Sequence, residues 1–401
     1  MGRIHDRYGS FLWLAAISLA STIGCVLGGA GKTASALMAG IVALCTMPLA
    51  LPYFYKRVLA GDPLYLYLPA MMGAIVMRVL WDTDLSGVQF AIAIALIASI
   101  LLMGKATLVL SKEPSRSLLI VMAILACLVV AWYVKFPEFR PKNAVGAGAF
   151  YLALLPGIVY FRTRLSLSVY LVCCTAFVVV AFDMRSTAIV CAIVIAALYG
   201  TRGTFPKLLF AVTCAAIAGT IFVVVLLRTG IFDNYLASYS SHFDRGLESG
   251  RDIIWPMALD QVDRAPYFGS GFQAGKFSFR DDELSAHNQY LQILVQQGWV
   301  GLALCFILFA LITNKASYII RGEFARRRFV GIFCGILYAN TFEVQFFQNL
   351  FYIGIIQWVI ISITLYCEPP GNRAIGKIDR TKIDPKGKSA HGLRLVGGPA
   401  L

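Results

Sequence analysis

The sequence predicts an all-α polytopic membrane protein with about 12 transmembrane helices and one large external loop. Of its 401 residues, 59% are hydrophobic and only 14% are charged, whereas about a quarter of the residues in soluble domains are charged. Its apolar runs approach the ~20 residues that a helix needs to cross the hydrocarbon core. They lack two-residue alternation, and backbone groups in lipid must be hydrogen-bonded internally. Helices rather than a β-barrel are therefore predicted.

The predicted spans and the segments between them define four regions. The spans lie at about residues 10–29, 34–52, 63–81, 87–104, 116–135, 146–161, 167–182, 186–200, 206–227, 289–313, 327–343 and 350–367. Residues 1–227 therefore hold nine spans, 228–288 form the external loop, 289–367 hold three spans, and 368–401 form a basic tail. Only Asp183-Met184-Arg185 separates the two short spans between 167 and 200, so we expect a tight hairpin there.

The net charge of +14 is explained by topology rather than by a nucleic-acid partner. With the N-terminus in the cytoplasm, 23 of the 35 Lys and Arg residues lie on the cytoplasmic side, 11 on the other side, and Arg78 within a span. This asymmetry is the positive-inside pattern. It predicts that both termini are cytoplasmic and that the long loop is external.

The external loop contains the signals of an amphipathic helix. After Arg251, four apolar residues follow helical spacing: Trp255, Ala258, Leu259 and Val262. The segment from Ala265 to Phe272 contains Pro and three Gly or Ser residues, which favour turns. We expect the helix to lie on the membrane surface or to close over the spans as a lid.

Candidate chemistry centres on His287, where the polar loop meets an apolar run. Histidine can accept a proton from a sugar hydroxyl. Arg185 and Arg251 offer forked donors for the oxygens of a diphosphate, and further candidates are Arg78, Arg245, Arg264 and Arg280. No G-x-S-x-G pattern indicates a covalent nucleophile. Direct displacement with inversion of the anomeric centre is therefore favoured.

Each of these residues also has a structural interpretation. His287 alone can be structural, Arg185 can be a snorkelling anchor, and Arg251 can be a surface charge at a helix end. Glu343, in a polar stretch, is interpreted as support for the histidine or for an acceptor sugar, because polar groups near the lip of a bundle are costly unless used or paired.

No metal or cofactor is predicted. The acidic run 281–283 is interpreted as a solvated loop rather than a divalent-metal site. All ten cysteines lie in or beside apolar spans, and no CxxC or HxxH spacing occurs, so the cysteines are interpreted as small apolar residues.

Three segments resemble the bacterial O-antigen ligase and polymerase superfamily. His287-Asn288-Gln289-Tyr290-Leu291, followed by Gly298-Trp299-Val300-Gly301-Leu302, is similar to its motif of a His-Asn pair before a span with a Gly-x-x-Gly-Leu turn. The segment from Gly250-Arg251 to Trp255, with the later Pro266 to Gly271, is similar to its "GR…W" loop. Met184-Arg185-Ser186-Thr187 is similar to its Ser-Arg-(Ser/Thr) turn, with Met184 in place of the usual serine.

The resemblance implies a metal-independent, GT-C-like, all-helical glycosyltransferase in the bacterial inner membrane, with its site facing the periplasm. The donor would be O-antigen polysaccharide on undecaprenyl diphosphate, and the acceptor a sugar of the lipid A–core. By position, His287 would be the base, and Arg185 and Arg251 would bind the diphosphate. Apart from the resemblance, we expect Asn288, Glu343, Arg78 and Arg264 to have supporting roles.

Three alternatives remain open at this stage. A polymerase would join two lipid-linked chains, and a protein O-oligosaccharyltransferase shares the motif, although such enzymes commonly carry further C-terminal sequence. A lipid-glycan flippase would place charge along a central path. The spans hold few ionisable groups, chiefly Arg78 and Glu343, which favours an enzyme.

Overall fold

The structure is a computed structural model. It describes residues 54–82, 142–182, 184–200, 205–228, 251–279, 282–320, 322–345 and 351–366, with isolated residues elsewhere. Most of the predicted spans at 10–29, 34–52, 87–104 and 116–135 lies outside the described residues. So do residues 229–250 of the external loop and the basic tail.

The described part is helical except for one small hairpin. Its helices are α1 (Pro63–Asp82), α2 (Lys142–Tyr160), α3 (Arg164–Phe182), α4 (Arg185–Tyr199), α5 (Phe205–Arg228), α6 (Arg251–Arg264), α7 (Gln289–Ile319), α8 (Glu323–Ala339) and α9 (Phe351–Tyr366). The strands β1 (Phe277–Phe279) and β2 (Asp282–Leu284) pair antiparallel, with Phe277 opposite Leu284. The predicted helical class is confirmed for this part. The interpretation of 281–283 as loop was wrong for Asp282 and Glu283, which lie in β2.

Three described helices are long and apolar enough to cross a membrane, at Pro63–Leu80, Arg164–Phe182 and Gln289–Ile319. Shorter apolar helices lie at Val145–Tyr160, Arg185–Tyr199, Leu209–Phe222 and Ile353–Tyr366. These bounds agree closely with the hydropathy of the sequence, and they are consistent with a membrane protein. The predicted hairpin between 167 and 200 is present as α3 and α4, whose bounds are separated by two residues.

Helices α4 and α8 pack closely because glycines on α8 face α4. A Cβ atom at Gly331 would lie 2.7 Å from the Cβ atom of Ala197, and one at Gly335 would lie 3.0 Å from Cγ1 of Val190. Small residues four apart are typical of close helix pairs in membranes. Residue numbers rise along α8 from Gly331 to Gly335, whereas those of the facing residues on α4 fall from Ala197 to Val190. The two helices are therefore antiparallel. Arg185, the first residue of α4, therefore lies toward the end of α8 that precedes Glu343.

Two predicted spans differ from the structure. Helix α8 ends at Ala339, not at 343, because Thr341 and Phe342 close tight turns onto Tyr338 and Ala339. Glu343 thus lies in the link between α8 and α9 rather than in a span. The predicted tenth span is also not one continuous helix, because α7 breaks at Gly298, where φ is 64° and ψ is −165°.

Candidate functional site

The break in α7 is bonded to the turn that follows α6. Ser270 N donates to Val295 O (2.8 Å) and Gly271 N donates to Gln296 O (3.2 Å). On the other side of the break, Trp299 N donates to Pro266 O (2.9 Å) and Val300 N donates to Tyr267 O (3.1 Å). Buried backbone groups need such partners, so the turn replaces the helical hydrogen bonds that the break removes.

The break divides α7 into two parts with different surroundings. Residues 299–319 form a helix of about 31 Å at 1.5 Å per residue, which matches a hydrocarbon core of ~30 Å. Trp299 is 48% exposed at its start, as is common for Trp at a membrane interface. Residues 289–297 are all buried and form a separate half-helix. His287 therefore precedes a half-helix buried in protein, rather than the membrane span itself.

Helix α6, which begins at Arg251, has one buried apolar face. The predicted helix is confirmed, and its stripe of Trp255, Ala258, Leu259 and Val262 is buried. It packs against α5 and α7. This packing agrees with the alternative in which the helix closes over the spans.

His287 has an unusual backbone conformation. Its φ is +49°, and among the described non-glycine residues no other φ is positive. This left-handed region costs an L-residue about 1–2 kcal/mol. The next residue, Asn288, begins α7, and its Oδ1 accepts from Tyr290 N (2.9 Å) and Leu291 N (3.1 Å). Asn288 is therefore the N-cap of the half-helix. Its backbone position fixes the point at which the chain passes from His287 into the helix.

Glu343 lies beside His287. Its Oε2 atom is 3.8 Å from His287 Nδ1, and the side chains are 13% and 27% exposed, respectively. This distance exceeds a hydrogen bond but permits a charge interaction in a partly buried setting. The Nδ1 edge of the ring therefore faces the carboxylate, which leaves Nε2 as the edge for a substrate.

Arg251 is bound to the same link as Glu343. Its Nη2 atom donates to Phe342 O (2.8 Å), and its guanidinium carbon lies 6.0 Å from the centre of the Phe342 ring. Burial lowers the pKa of Arg251, and the charge of Glu343 opposes this shift. The Nε–H group of Arg251 is buried without a hydrogen-bond partner. The carboxylate of Glu343 thus lies beside a histidine and acts electrostatically on an arginine.

Buried amides hold the link in place. Gln289 N donates to Asn340 O (2.9 Å), Asn340 Nδ2 donates to Gln357 Oε1 (3.2 Å), and Gln357 Nε2 donates to Gln345 Oε1 (3.0 Å). All four side chains are buried. This network ties the start of α7 to Asn340 and Gln345 of the link and to α9.

The other predicted residues occupy different positions. Arg185 is exposed in the first turn of α4, toward the same end as the α8–α9 link. Arg78 of α1 donates from Nη2 to Gly269 O (3.0 Å) and so anchors the turn that fills the break. Arg264 is exposed at the far end of α6, about 20 Å along the helix from Arg251. The described contacts thus bring together His287, Arg251 and Glu343. No group of three or more His, Cys, Asp or Glu residues suited to a metal occurs among the described residues.

The sequence reasoning missed the polar residues of the half-helix. Gln289, Gln292 and Gln296 are buried and hydrogen-bond to the link and to the turn after α6. The signal was present in the sequence, since polar residues at helical spacing within an apolar run are costly unless they are paired.

The fold and the site together define a helical membrane protein with a histidine, an arginine and a glutamate at the junction of an extramembrane loop and the bundle. Residues 169–306 match the family model described as O-Antigen ligase (Wzy_C). The match begins within α3 and ends within α7, and it contains Arg185, Arg251 and His287. It confirms the resemblance to the O-antigen ligase superfamily and indicates a membrane glycosyltransferase-like enzyme. No curated protein matches the chain.

Proposed function

We propose that this protein is an O-antigen ligase, which transfers O-antigen polysaccharide from undecaprenyl diphosphate to a sugar of the lipid A–core. The family match over 169–306 carries the proposal, since it includes the three residues predicted to do the chemistry. The proximity of Arg251, Glu343 and His287 supports it further. Membrane lipids surround the protein, and no nucleic acid takes part.

The proposed topology follows the distribution of charge. Twelve spans in a GT-C-like arrangement place both termini in the cytoplasm and the loop 228–288 in the periplasm of a bacterial inner membrane. The excess of Lys and Arg on the cytoplasmic side supports this orientation. It places His287, Arg251 and Arg185 at the periplasmic end of the bundle, where both lipid-linked substrates present their glycans.

In the proposed reaction, His287 Nε2 takes the proton of the acceptor hydroxyl as the hydroxyl oxygen attacks the anomeric carbon of the donor. The new glycosidic bond forms while the bond between that carbon and the diphosphate oxygen breaks. The bonding pair leaves with undecaprenyl diphosphate, and direct attack inverts the anomeric centre. Arg185 and Arg251 stabilise the charge that develops on the leaving group, so the proposed step is metal-independent. The carboxylate of Glu343 stabilises the imidazolium that forms.

The test is transfer by purified protein given lipid-linked glycan and lipid A–core. Wild-type protein should attach the chain to the core, and His287→Ala should abolish transfer while the protein stays folded in the membrane. His391→Ala, in the basic tail, is the matched control and should retain transfer. Wild-type ligation by the His287→Ala variant would refute the assignment of the base.

The same assay separates the related activities. Longer lipid-linked glycans without modified core would mean a polymerase, and glycan on an added acceptor protein would mean an O-oligosaccharyltransferase. Movement of lipid-linked glycan across proteoliposome membranes, without a new glycosidic bond, would mean a flippase. Each of these outcomes would replace the ligase proposal.

A further inference from the structure

We propose that Trp255 and Gln292 are positioning residues that hold the peptide before His287 and thereby aim its imidazole at the acceptor. The inference rests on the proposed function of His287. It assigns a role to the tryptophan of the "GR…W" segment, which the proposed reaction leaves unused.

Side chains hold both backbone groups of Ala286. Trp255 Nε1 donates to Ala286 O (2.8 Å), and Gln292 Oε1 accepts from Ala286 N (3.1 Å). Ala286 is fully buried and lies outside any helix or strand. Regular secondary structure therefore does not fix this residue, and the two side chains take that role.

This fixation matters because of the backbone of the next residue. The φ of +49° at His287 lies in a region that L-residues adopt only where their surroundings impose it. Asn288 fixes the following residue as the cap of α7. The residues on both sides of His287 are thus held by side chains, and the direction of the imidazole follows from them.

Trp255 also connects the base to the proposed diphosphate site. It lies four residues after Arg251, one helical turn along α6, and residues at this spacing share a helix face. The indole is buried, with 8% exposure. A shift of α6 would therefore move Arg251 and the Ala286 carbonyl together. The tryptophan therefore keeps a fixed spacing between His287, the proposed base, and Arg251, the proposed diphosphate-binding residue.

The first test compares Trp255→Phe with Tyr170→Phe in the transfer assay. The first variant keeps a buried ring but loses the N–H donor to Ala286. The second loses one hydroxyl donor to the Ala153 carbonyl (2.6 Å), between α3 and α2. We expect Trp255→Phe to lower kcat about tenfold, with the KM for the lipid-linked donor within about twofold. Tyr170→Phe should keep kcat while losing a similar amount of thermal stability. An equal kcat in the two variants would overturn the inference.

The second test uses Gln292 and does not depend on the tryptophan. Gln292→Glu keeps an oxygen that can accept from Ala286 N, whereas Gln292→Met keeps the length of the side chain without that acceptor. We expect the Met variant to lower kcat as Trp255→Phe does, and the Glu variant to restore most of it. Equal kcat in the Met and Glu variants would contradict a positioning role.

The outcomes separate this inference from the proposed function. Absence of transfer to the core by the wild-type protein would defeat the proposed function, and an active His287→Ala variant would defeat the assignment of His287 as its base. An inactive His287→Ala variant, together with Trp255→Phe and Gln292→Met variants that keep wild-type kcat, would defeat only the positioning role.

Discussion

Replacing Gly298 by alanine should separate the turn after α6 from the broken helix. With φ 64° and ψ −165°, Gly298 occupies a region that is essentially restricted to glycine. A Cβ atom would lie 2.6 Å from Phe268 N and still closer to the carbonyl group of Tyr267. These are backbone atoms, so the turn must move as a unit.

The expected loss of stability follows from two contributions. Forcing alanine into this conformation costs about 1–3 kcal/mol. Displacing the turn can break the four backbone hydrogen bonds across the break in α7. Each contributes a net stability of about 1 kcal/mol. If all four bonds are lost, the two contributions predict a loss of about 5–7 kcal/mol in the free energy of unfolding. Transfer should be lost as well, because the turn joins the Arg251 helix to the half-helix after His287.

The measurement is the unfolding midpoint of purified protein in detergent, with Gly219→Ala as the matched control. A Cβ atom at Gly219, within α5, meets nothing within 4 Å, and alanine favours a helix interior by about 1 kcal/mol over glycine. The control should therefore match or slightly exceed wild type. A Gly298→Ala variant as stable and active as the control would show that the break does not need glycine, and the reasoning would fail.

Two substitutions test the charges of the site. Burial lowers the pKa of Arg251, and it acts in the same direction on a lysine, whose ordinary value is already lower at about 10.4. In the proposed reaction the cation binds the diphosphate, so Arg251→Lys should lose donor affinity as the pH rises, at a pH where wild type still binds. Arg264→Lys is the control variant. If the donor affinity of both variants depended on pH in the same way, the expected effect of burial at position 251 would be contradicted. Glu343→Gln should lower kcat about tenfold in single-turnover transfer, because the charge 3.8 Å from His287 Nδ1 is removed. An unchanged kcat in the Glu343→Gln variant would exclude a role for the Glu343 charge in the proposed reaction.

Hydropathy alone predicted where most described helices lie, because long apolar runs in this chain have few other uses. It failed at two places for the same reason. Phe342 and Val344 continue the apolar run of α8 past its end at Ala339, and Gly298 interrupts α7 without interrupting its hydrophobicity. Tertiary hydrogen bonds determine both features, and hydropathy does not report them.

The candidate site was predictable in its residue types but not in its contacts. The motifs indicated His287 and Arg251, and the polar setting indicated Glu343. No spacing in the sequence shows that Arg251 binds the carbonyl of Phe342, 91 positions away. The positive φ of His287 was equally hidden, since histidine carries no signal for it comparable to glycine.

The attachment of Arg251 and Gln289 to the α8–α9 link has a consequence for the order of synthesis. Arg251 and His287 leave the ribosome within one contiguous segment, but Asn340, Phe342 and Glu343 follow about 50 residues later. During the interval His287 and Arg251 lack the carboxylate of Glu343, and Arg251 also lacks the Phe342 carbonyl that accepts its hydrogen bond. If these residues form the proposed site, the nascent chain should have no assembled site until the α8–α9 link has been synthesised, and inserted but unfinished copies should not act on lipid-linked glycan.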